Sequence, residues 1–297
     1  MNSKVRTDLA LEAHEQRLED GENAAEGVTF SRKETGIGAV TELTVCSPEG
    51  EKALGKPRGR YITVELDALL RRREDAFADT CGVLSGALRS LLGGASGGVL
   101  VAGLGNRDIT PDAIGPGTVD HLLVTRHLRA QLPEFFGSFR SVSAVCSGVL
   151  GTTGIESGDV IAALCARLQP ELVIAVDALA SRRADRLCRT VQLSDTGIIP
   201  GSGVGNARQA LSRDTLGVPV IAVGVPTVVD AAALACTLAR QSGCTLDPDS
   251  FGGEGGMIVT PRDIDKSVRD ISRLLGYSIN LALHDGLGIA DVDMLLS

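Results

Sequence analysis

The chain has 297 residues, of which 43% are hydrophobic and 22% are charged, so it can bury a substantial core and has the composition of a globular protein. Its formal net charge of -8 argues against a broad nucleic-acid interface, because such an interface needs a basic face opposite the phosphates. Aromatic residues make up 3% and tryptophan is absent, so base-stacking platforms are not expected either. We therefore expect no direct contact with nucleic acid.

Cysteine usage and the N-terminal residues indicate the compartment. Seven cysteines are present and no two have CxxC spacing, so we expect reduced, buried thiols rather than a zinc or redox site. The first residues, MNSKVRTDLALEAHEQ, are charged and contain no apolar segment typical of a secretory signal. No apolar run approaches the roughly 18 residues of a membrane span. The expected location is the cytoplasm, with no membrane partner.

In chain order, a charged segment comes first and two amphipathic strands follow. Residues 1–25 have no sustained apolar face, and we expect a short helix or a mobile arm outside the core. Segments 39–45 and 60–66 alternate apolar and polar residues, which is typical of half-buried strands, and a turn rich in Pro and Gly separates them. We expect these two strands to pair as an antiparallel N-terminal hairpin or edge.

The rest of the chain alternates between apolar runs and amphipathic segments. Continuous runs rich in Val and Ile are typical of parallel strands that helices cover on both faces. The alternation predicts an α/β fold, a three-layer α/β/α arrangement with a mostly parallel sheet. Strands are expected at 99–105, 141–148 (the weakest), 171–180 and 217–226, and helices at 67–92, 117–131, 155–169, 228–241 and 261–284.

Two aspartates stand at the carboxyl ends of predicted parallel strands, where ligands gather in open α/β sheets. Asp112 lies in the glycine-rich turn GLGNRDITPDAIGP, and Asp177 ends the apolar run LVIAV. Asp112 alone would also suit a helix N-terminus, and Asp177 alone would need a partner or a cleft. Together they form a candidate catalytic dyad, in which one carboxyl stays protonated as an acid and the other activates water.

A second glycine-rich element, GSGVGN at 201–206, resembles a dinucleotide fingerprint but follows a proline and has no acidic ribose partner downstream. Gly201, Gly203 and Gly205 are instead candidates for lining the cleft, where their amides would stabilise an oxyanion. Two alternatives stay open here. A metal-dependent hydrolase would use the two aspartates as ligands, and a nucleotide-binding module would use GSGVGN. The four histidines have no spacing typical of a metal site or a catalytic triad.

Several blocks resemble the germination protease family of spore-forming bacteria: VRTDLALEA, GLGNRDITPDAIGP, VDHLLVTRHL, VIAVDALASR, GIIPGSGVGN and GVPVIAVGVPTVVDA. The closing MIVTPRDID and INLALH fit as well. The resemblance implies an endopeptidase that initiates degradation of small acid-soluble spore proteins during germination, in the spore core. It also implies cutting after Glu or Asp before a hydrophobic residue, a self-processing zymogen, a homotetramer and no cofactor. The implied fold is similar to that of the hydrogenase-maturation proteases, relatives that bind nickel.

The same resemblance assigns residues. The two essential aspartates of the family fall in TPDA and DALA, which here are Asp112 and Asp177, in agreement with the dyad chosen by position. The self-cleavage pattern falls in TDLA, between Asp8 and Leu9. We therefore expect a propeptide over residues 1–8 and a single α/β peptidase domain over residues 9–297.

Two further expectations follow from the resemblance. Cutting after an acidic residue requires a cationic subsite, and Arg126, Arg182 and Arg183 are the candidates. The chain is shorter than the longer relatives between about 240 and 257, which puts in doubt any lid or activation role for that segment.

Overall fold

The computed structural model describes residues 7–71, 73–205, 208–244, 246 and 257–297. Most of the short segment at 240–257 therefore lies outside the described residues, as do residues 1–6 of the predicted propeptide. The strands are Val28–Thr35 (β1), Gly38–Val45 (β2), Gly59–Glu65 (β3), Val99–Gly103 (β4), Val142–Cys146 (β5), Leu172–Ser181 (β6), Thr190–Ser194 (β7), Val220–Asp230 (β8) and Ile258–Val259 (β9). The helices are Ala10–Glu19 (α1), Pro48–Leu54 (α2), Asp67–Leu70 (α3), Ala76–Leu92 (α4), Ile114–Val119 (α5), Arg126–Gln131 (α6), Pro133–Phe136 (α7), Leu150–Thr153 (α8), Ser157–Leu168 (α9), Arg213–Leu216 (α10), Ala231–Gln241 (α11), Ile264–Leu283 (α12) and Ile289–Leu296 (α13).

These strands form one sheet in the order β1-β2-β3-β7-β8-β6-β4-β5, with β9 added to β8. Strands β8, β6, β4 and β5 are parallel neighbours, which confirms the parallel sheet predicted from the apolar runs. Strands β2 and β3 pair antiparallel, which confirms the N-terminal edge. Strands β1 and β7 were not predicted. They extend the antiparallel side, and the polar side chains of β7 are buried within it.

Helices cover both faces of the sheet and make three layers. On one face, Leu84 and Leu88 of α4 join a large apolar cluster with α5, α12 and side chains such as Val101 of β4. On the other face, Leu100 of β4 packs against Ile161 of α9. This alternation along β4 confirms the α/β/α arrangement. No described helix is long and apolar enough to cross a membrane.

Two predicted helices are each divided in the structure. The helix expected at 67–92 is split into α3 and α4, and Asp75 between them adopts a left-handed backbone. The intervening residues are charged and offer no apolar contact to continue the helix. The helix expected at 117–131 is split into α5 and α6. Between them the hydroxyl of Thr125 accepts the Val142 amide and donates to the Arg140 carbonyl, which fixes the chain against β5.

The short helix expected within residues 1–25 is confirmed by α1, but the prediction that this segment lies outside the core is wrong for residues 9–12. Leu9 and Ala10 are fully buried, and Glu12 of α1 is buried with them. The Glu12 carboxylate accepts hydrogen bonds from the Ser181 hydroxyl at 2.6 Å and the Arg182 amide at 2.7 Å. The buried residues of α1 are two apolar ones, Ala10 and Leu11, and two polar ones, so the helix has no long apolar stripe that hydrophobic periodicity could reveal.

His284 follows α12 and is 3% exposed, beside the ring of Phe139. Burial lowers the pKa of its imidazole to about 4. As the pH falls, the imidazole of the unfolded chain therefore binds a proton at a higher pH than that of the folded chain. The contribution of neutral His284 to the free energy of unfolding is complete above about pH 6.5 and is lost towards pH 4. We expect His284→Leu to remove up to about 3 kcal/mol of the change in unfolding free energy between pH 7.5 and pH 4, measured by urea denaturation. The exposed His127, replaced by Gln, should leave that change intact.

Candidate active site

The site begins where β4 and β6 part. Strand β4 ends at Gly103, paired with Val176, whereas β6 continues to Ser181 along β8. After Val176, β6 therefore has one edge that no described strand covers. The pairing of β6 with β8 also shifts register between Leu179 and Ala180. Main-chain groups of β6 are thus presented at the carboxyl end of the sheet, where α/β proteins bind ligands.

Asp112 lies in a 3-10 turn that its neighbours hold firmly. The amide of Asn106 donates to Oδ2 of Asp112 at 2.7 Å. The buried hydroxyl of Thr227, on β8, donates to the carbonyl of Pro111 at 2.7 Å. Gly105 has a φ of +99°, and a side-chain carbon there would overlap with the Asp112 carbonyl, so this turn requires glycine. These contacts tie the turn after β4 to β8.

Asp177 lies on β6 and is 4% exposed. Burial raises its pKa well above the ordinary value, and the charge of Asp112 raises it further, while the Ala178 amide, 2.9 Å from Oδ1, acts in the opposite direction. Burial also raises the pKa of Asp112, and the Asn106 amide opposes that shift. Both residues line one cavity of about 450 Å³. Burial and the charge of Asp112 together favour the protonated form of Asp177.

A third acidic residue, Asp8, lines the same cavity. Its amide donates to the Ala180 carbonyl at 3.0 Å, and the Ala180 amide donates to its Oδ2 at 2.8 Å. The Ser202 hydroxyl donates to Oδ1 of Asp8. The N-terminal segment therefore lies along the uncovered edge of β6 and places one carboxylate in the cavity. The charge of Asp8 also helps to raise the pKa of Asp177.

Lys56 and Gln192 bind the main chain of this segment from the side of a second, larger cavity of about 1160 Å³. Lys56 Nζ lies 2.9 Å from the carbonyl oxygens of Thr7 and Asp8. Gln192 Nε2 lies 3.3 Å from the Asp8 carbonyl oxygen, and Gln192 Oε1 accepts the Ala10 amide at 2.7 Å. Burial lowers the pKa of Lys56, against the charges of Asp8 and Glu12. Two donors thus converge on the carbonyl of the Asp8–Leu9 peptide bond.

The candidate glycines differ in their relation to the cavity. Gly201 lines it. Gly203 lies against the Asp8 carboxylate and the Ala180 side chain, so that a side-chain carbon at Gly203 would overlap with both. Gly205 has a positive φ and is not among the lining residues. Gly203 therefore makes room for a carboxylate, and the Ser202 hydroxyl on this turn donates to it.

The candidate arginines lie outside the cavity. Arg126 is exposed at the start of α6. Arg182 is buried and pairs with Glu19 at 2.8 Å, and Arg183 pairs with Asp185 at 2.6 Å. Among the described lining residues the arginine is Arg208, 3.7 Å from Glu156.

The two alternatives left open by the sequence find little support in the described ranges. Among those residues, no three His, Cys, Asp or Glu side chains are grouped so that they could hold a metal ion. The described part of the GSGVGN element, residues 201–205, forms a short 3-10 turn at Ser202–Val204, and no α-helix begins within it, as one would in a dinucleotide fingerprint. Asn206, its last residue, lies outside the described residues.

Sequence reasoning missed four groups that touch the segment at residues 7–10: Lys56, Gln192, Ser202 and the amide of Ala180. Lys56 lies in a turn, Gln192 on an unpredicted strand, and the others contribute one hydroxyl and one main-chain donor. GSGVGN offered a partial signal, because its glycines mark close backbone approach.

An α/β sheet with two acidic side chains at its carboxyl edge, and a peptide segment beside them, fits the class of hydrolases that act on polypeptides. The model of the germination protease family matches residues 5–239. The chain is 38% identical to the germination protease of Clostridium perfringens over 323 aligned positions, covering 99% of each chain. It is 41% identical to that of Caldanaerobacter subterraneus, covering 98% of each. This chain belongs to the germination protease family and is a protease.

Two further comparisons cover less of the chain. The germination protease of Halalkalibacterium halodurans is 48% identical over 240 positions, which are 76% of this chain and 64% of the relative. A solved [NiFe] hydrogenase maturation protease, HycI of Thermococcus kodakarensis, is 15% identical with a TM-score of 0.36, covering 65% of this chain and 98% of that structure.

Proposed function

We propose that this protease is an aspartic-type endopeptidase that initiates degradation of small acid-soluble spore proteins during germination, cutting after Glu or Asp before a hydrophobic residue. The observation that carries the proposal is the buried Asp177, whose pKa burial raises well above its ordinary value, in one cavity with Asp112 and a segment of peptide. A neutral acid next to an ionised carboxylate is the pairing that general acid–base hydrolysis needs.

In the proposed reaction, Asp112 takes a proton from water as the water oxygen bonds to the carbonyl carbon of the scissile peptide. Lys56 and Gln192 donate to the carbonyl oxygen and stabilise the negative charge that develops there, as they already do for the Asp8 carbonyl. Asp177 gives its proton to the leaving nitrogen as the carbon–nitrogen bond breaks. The new carboxyl and amine then leave, and the protons of the two aspartates redistribute through solvent.

The chain's own N-terminus supplies a candidate substrate sequence. Asp8 is followed by Leu9 and Ala10, both fully buried, in the order acid, hydrophobic, alanine. We propose a zymogen with residues 1–8 as the propeptide, released by cleavage between Asp8 and Leu9, and a peptidase domain over residues 9–297. The homotetramer and the location in the spore cytoplasm belong to the same proposal, which includes no nucleic-acid, membrane or cofactor partner.

The test is incubation of the full chain with a small acid-soluble spore protein and identification of the products by mass spectrometry. We expect internal cuts after Glu or Asp before a hydrophobic residue, and a self-processed form that begins at Leu9. Asp8→Asn should slow the self-processing at this bond, and a chain that begins at Leu9 should cut the added protein without that step. Chelators should have no effect. Loss of cleavage on chelation, with recovery on adding one metal, would replace the aspartic mechanism with metal-dependent hydrolysis.

A further inference from the structure

We infer that Ser202 and the main-chain amide of Ala180 form the subsite that selects a carboxylate side chain of the substrate, and that Asp8 occupies this subsite as an internal ligand. The inference rests on the proposed endopeptidase function and adds the residues that determine its specificity. Its basis is the pair of donors on the Asp8 carboxylate, one to each oxygen. Asp8 and Ala180 line the cavity that also holds the two aspartates, and Ser202 lines the larger cavity next to it.

The uncovered edge of β6 binds the main chain of the segment that carries Asp8. The Ala180 carbonyl accepts the Asp8 amide, and the Ala180 amide points the same way and meets the Asp8 carboxylate. A polypeptide that binds here is held through its main chain, as in peptide recognition by strand addition. Main-chain contacts are indifferent to sequence, so any selectivity must come from the side chain that turns into the cavity.

The two donors at that side-chain position provide this selectivity. The Ser202 hydroxyl and the Ala180 amide both donate, and they reach opposite oxygens of one carboxylate. The Ala180 amide can only donate, whereas the Ser202 hydroxyl can donate or accept, so a neutral Asn amide could also be placed here. A carboxylate is preferred because its charge strengthens both hydrogen bonds, and the subsite therefore discriminates between an acid and its amide, although the two have nearly the same shape.

The space around the Asp8 carboxylate and the charged residues near it also bear on this selection. Gly203 is buried, and a side-chain carbon there would overlap with Oδ2 of Asp8, so glycine leaves the volume that the carboxylate fills. Arg208 lines the same cavity but lies 3.7 Å from Glu156, which also lines it, so the pair adds no net charge there. By contrast, the sequence-predicted Arg182 and Arg183 pair with Glu19 and Asp185 outside the cavity. Acid selection thus falls to a hydroxyl and a main-chain amide rather than to those two arginines.

The test compares two peptides, Thr-Asp-Leu-Ala-Leu-Glu-Ala, which copies residues 7–13, and its counterpart with Asn in the second place. The full-length protein should cleave the Asp peptide with a kcat/KM at least about 10-fold higher than the Asn peptide, since a hydrogen bond to a charged group is lost. Ser202→Ala should reduce this ratio to about 3 or less. Gly203→Ala, a second variant, should also reduce it by crowding the carboxylate. Ser157→Ala is the matched control, because Ser157 lines the same cavity but donates to the Gly148 carbonyl, and its ratio should equal that of the unaltered protein.

A binding measurement separates this inference from the proposed function. Full-length protein carrying Asp177→Asn and Asp8→Ala should bind the fluorescent Asp peptide more tightly than the Asn peptide by anisotropy, and adding Ser202→Ala should abolish the difference. If the unaltered protein cleaves neither peptide while this binding preference holds, the proposed function fails and the subsite stands. An Asp-to-Asn preference that survives Ser202→Ala, or no binding of either peptide, overturns the subsite.

Discussion

Asp177→Asn is expected to lower the kcat for peptide cleavage by at least about 10³-fold while leaving the fold intact. The amide cannot give up a proton to the leaving nitrogen, but it has the shape and neutrality of the protonated acid that burial favours at this position. The free energy of unfolding should therefore change little, and the variant should unfold at the urea concentration of the unaltered protein. Loss of activity with retained stability distinguishes a catalytic acid from a structural one.

Asp112→Asn should reduce cleavage by a similar factor, because water then lacks its base. The pH dependence of cleavage distinguishes the two variants more clearly than the loss of rate does. With the native pair, cleavage should fall as the pH rises through the raised pKa of Asp177, since the proton donor is lost above it. Removing the Asp112 charge removes one cause of that raised pKa, so residual cleavage in Asp112→Asn should decline at a lower pH. Asp79→Asn, an exposed carboxylate at the start of α4, is the control and should match the unaltered enzyme. Cleavage near the native rate in either dyad variant would contradict the assignment.

Glu12→Ala is expected to cost about 3 kcal/mol or more of the free energy of unfolding, the largest stability effect in the described chain outside the apolar core. The carboxylate accepts the Ser181 hydroxyl and the amides of Arg182 and Arg183 in a fully buried position. Alanine would leave the Arg182 amide without this partner in a buried position, and the Ser181 hydroxyl and the Arg183 amide would keep only their contacts with each other's residue. Urea denaturation measures the loss, and amide hydrogen exchange should show faster opening of α1.

The comparison for this prediction is Glu22→Ala. Glu22 pairs with Arg17 at 2.7 Å but is 49% exposed, so its removal should change the free energy of unfolding by less than about 1 kcal/mol. Equal effects of the two substitutions would mean that the buried carboxylate does not anchor α1.

The position of the dyad was accessible from sequence because it depends on regular structure. Strands buried on both faces are long apolar runs, and the first charge in the run of β6 is Asp177, which lies just past the last residue that pairs with β4. The glycine-rich turn after β4 placed Asp112 at the same edge. Parallel strands bring their carboxyl ends together, and so the two residues share a cavity although they are 65 positions apart (177 − 112).

The groups around the peptide segment could not be found in this way. Lys56, Gln192 and Ser202 contact residues 7–10 from positions at least 46 residues away (56 − 10), and none stands in a local pattern that predicts its partner. The polar side chains of β7 hid that strand from hydrophobic periodicity, and with it the role of Gln192. Likewise, α1 docks through a buried carboxylate, so its sequence is that of a surface helix. The folded structure, and no local sequence pattern, determines which of these distant polar groups meet.

The uncovered part of β6 also affects whether a processed enzyme would associate with other copies of itself. Asp8 is the residue that pairs with the main chain of Ala180, and Glu12 holds α1 in place beyond the proposed cut. Release of residues 1–8 would leave α1 attached and the edge of β6 beside it uncovered. Unpaired strand edges pair with strands of other chains. The activated form would therefore be prone to self-association whenever no substrate is bound along β6.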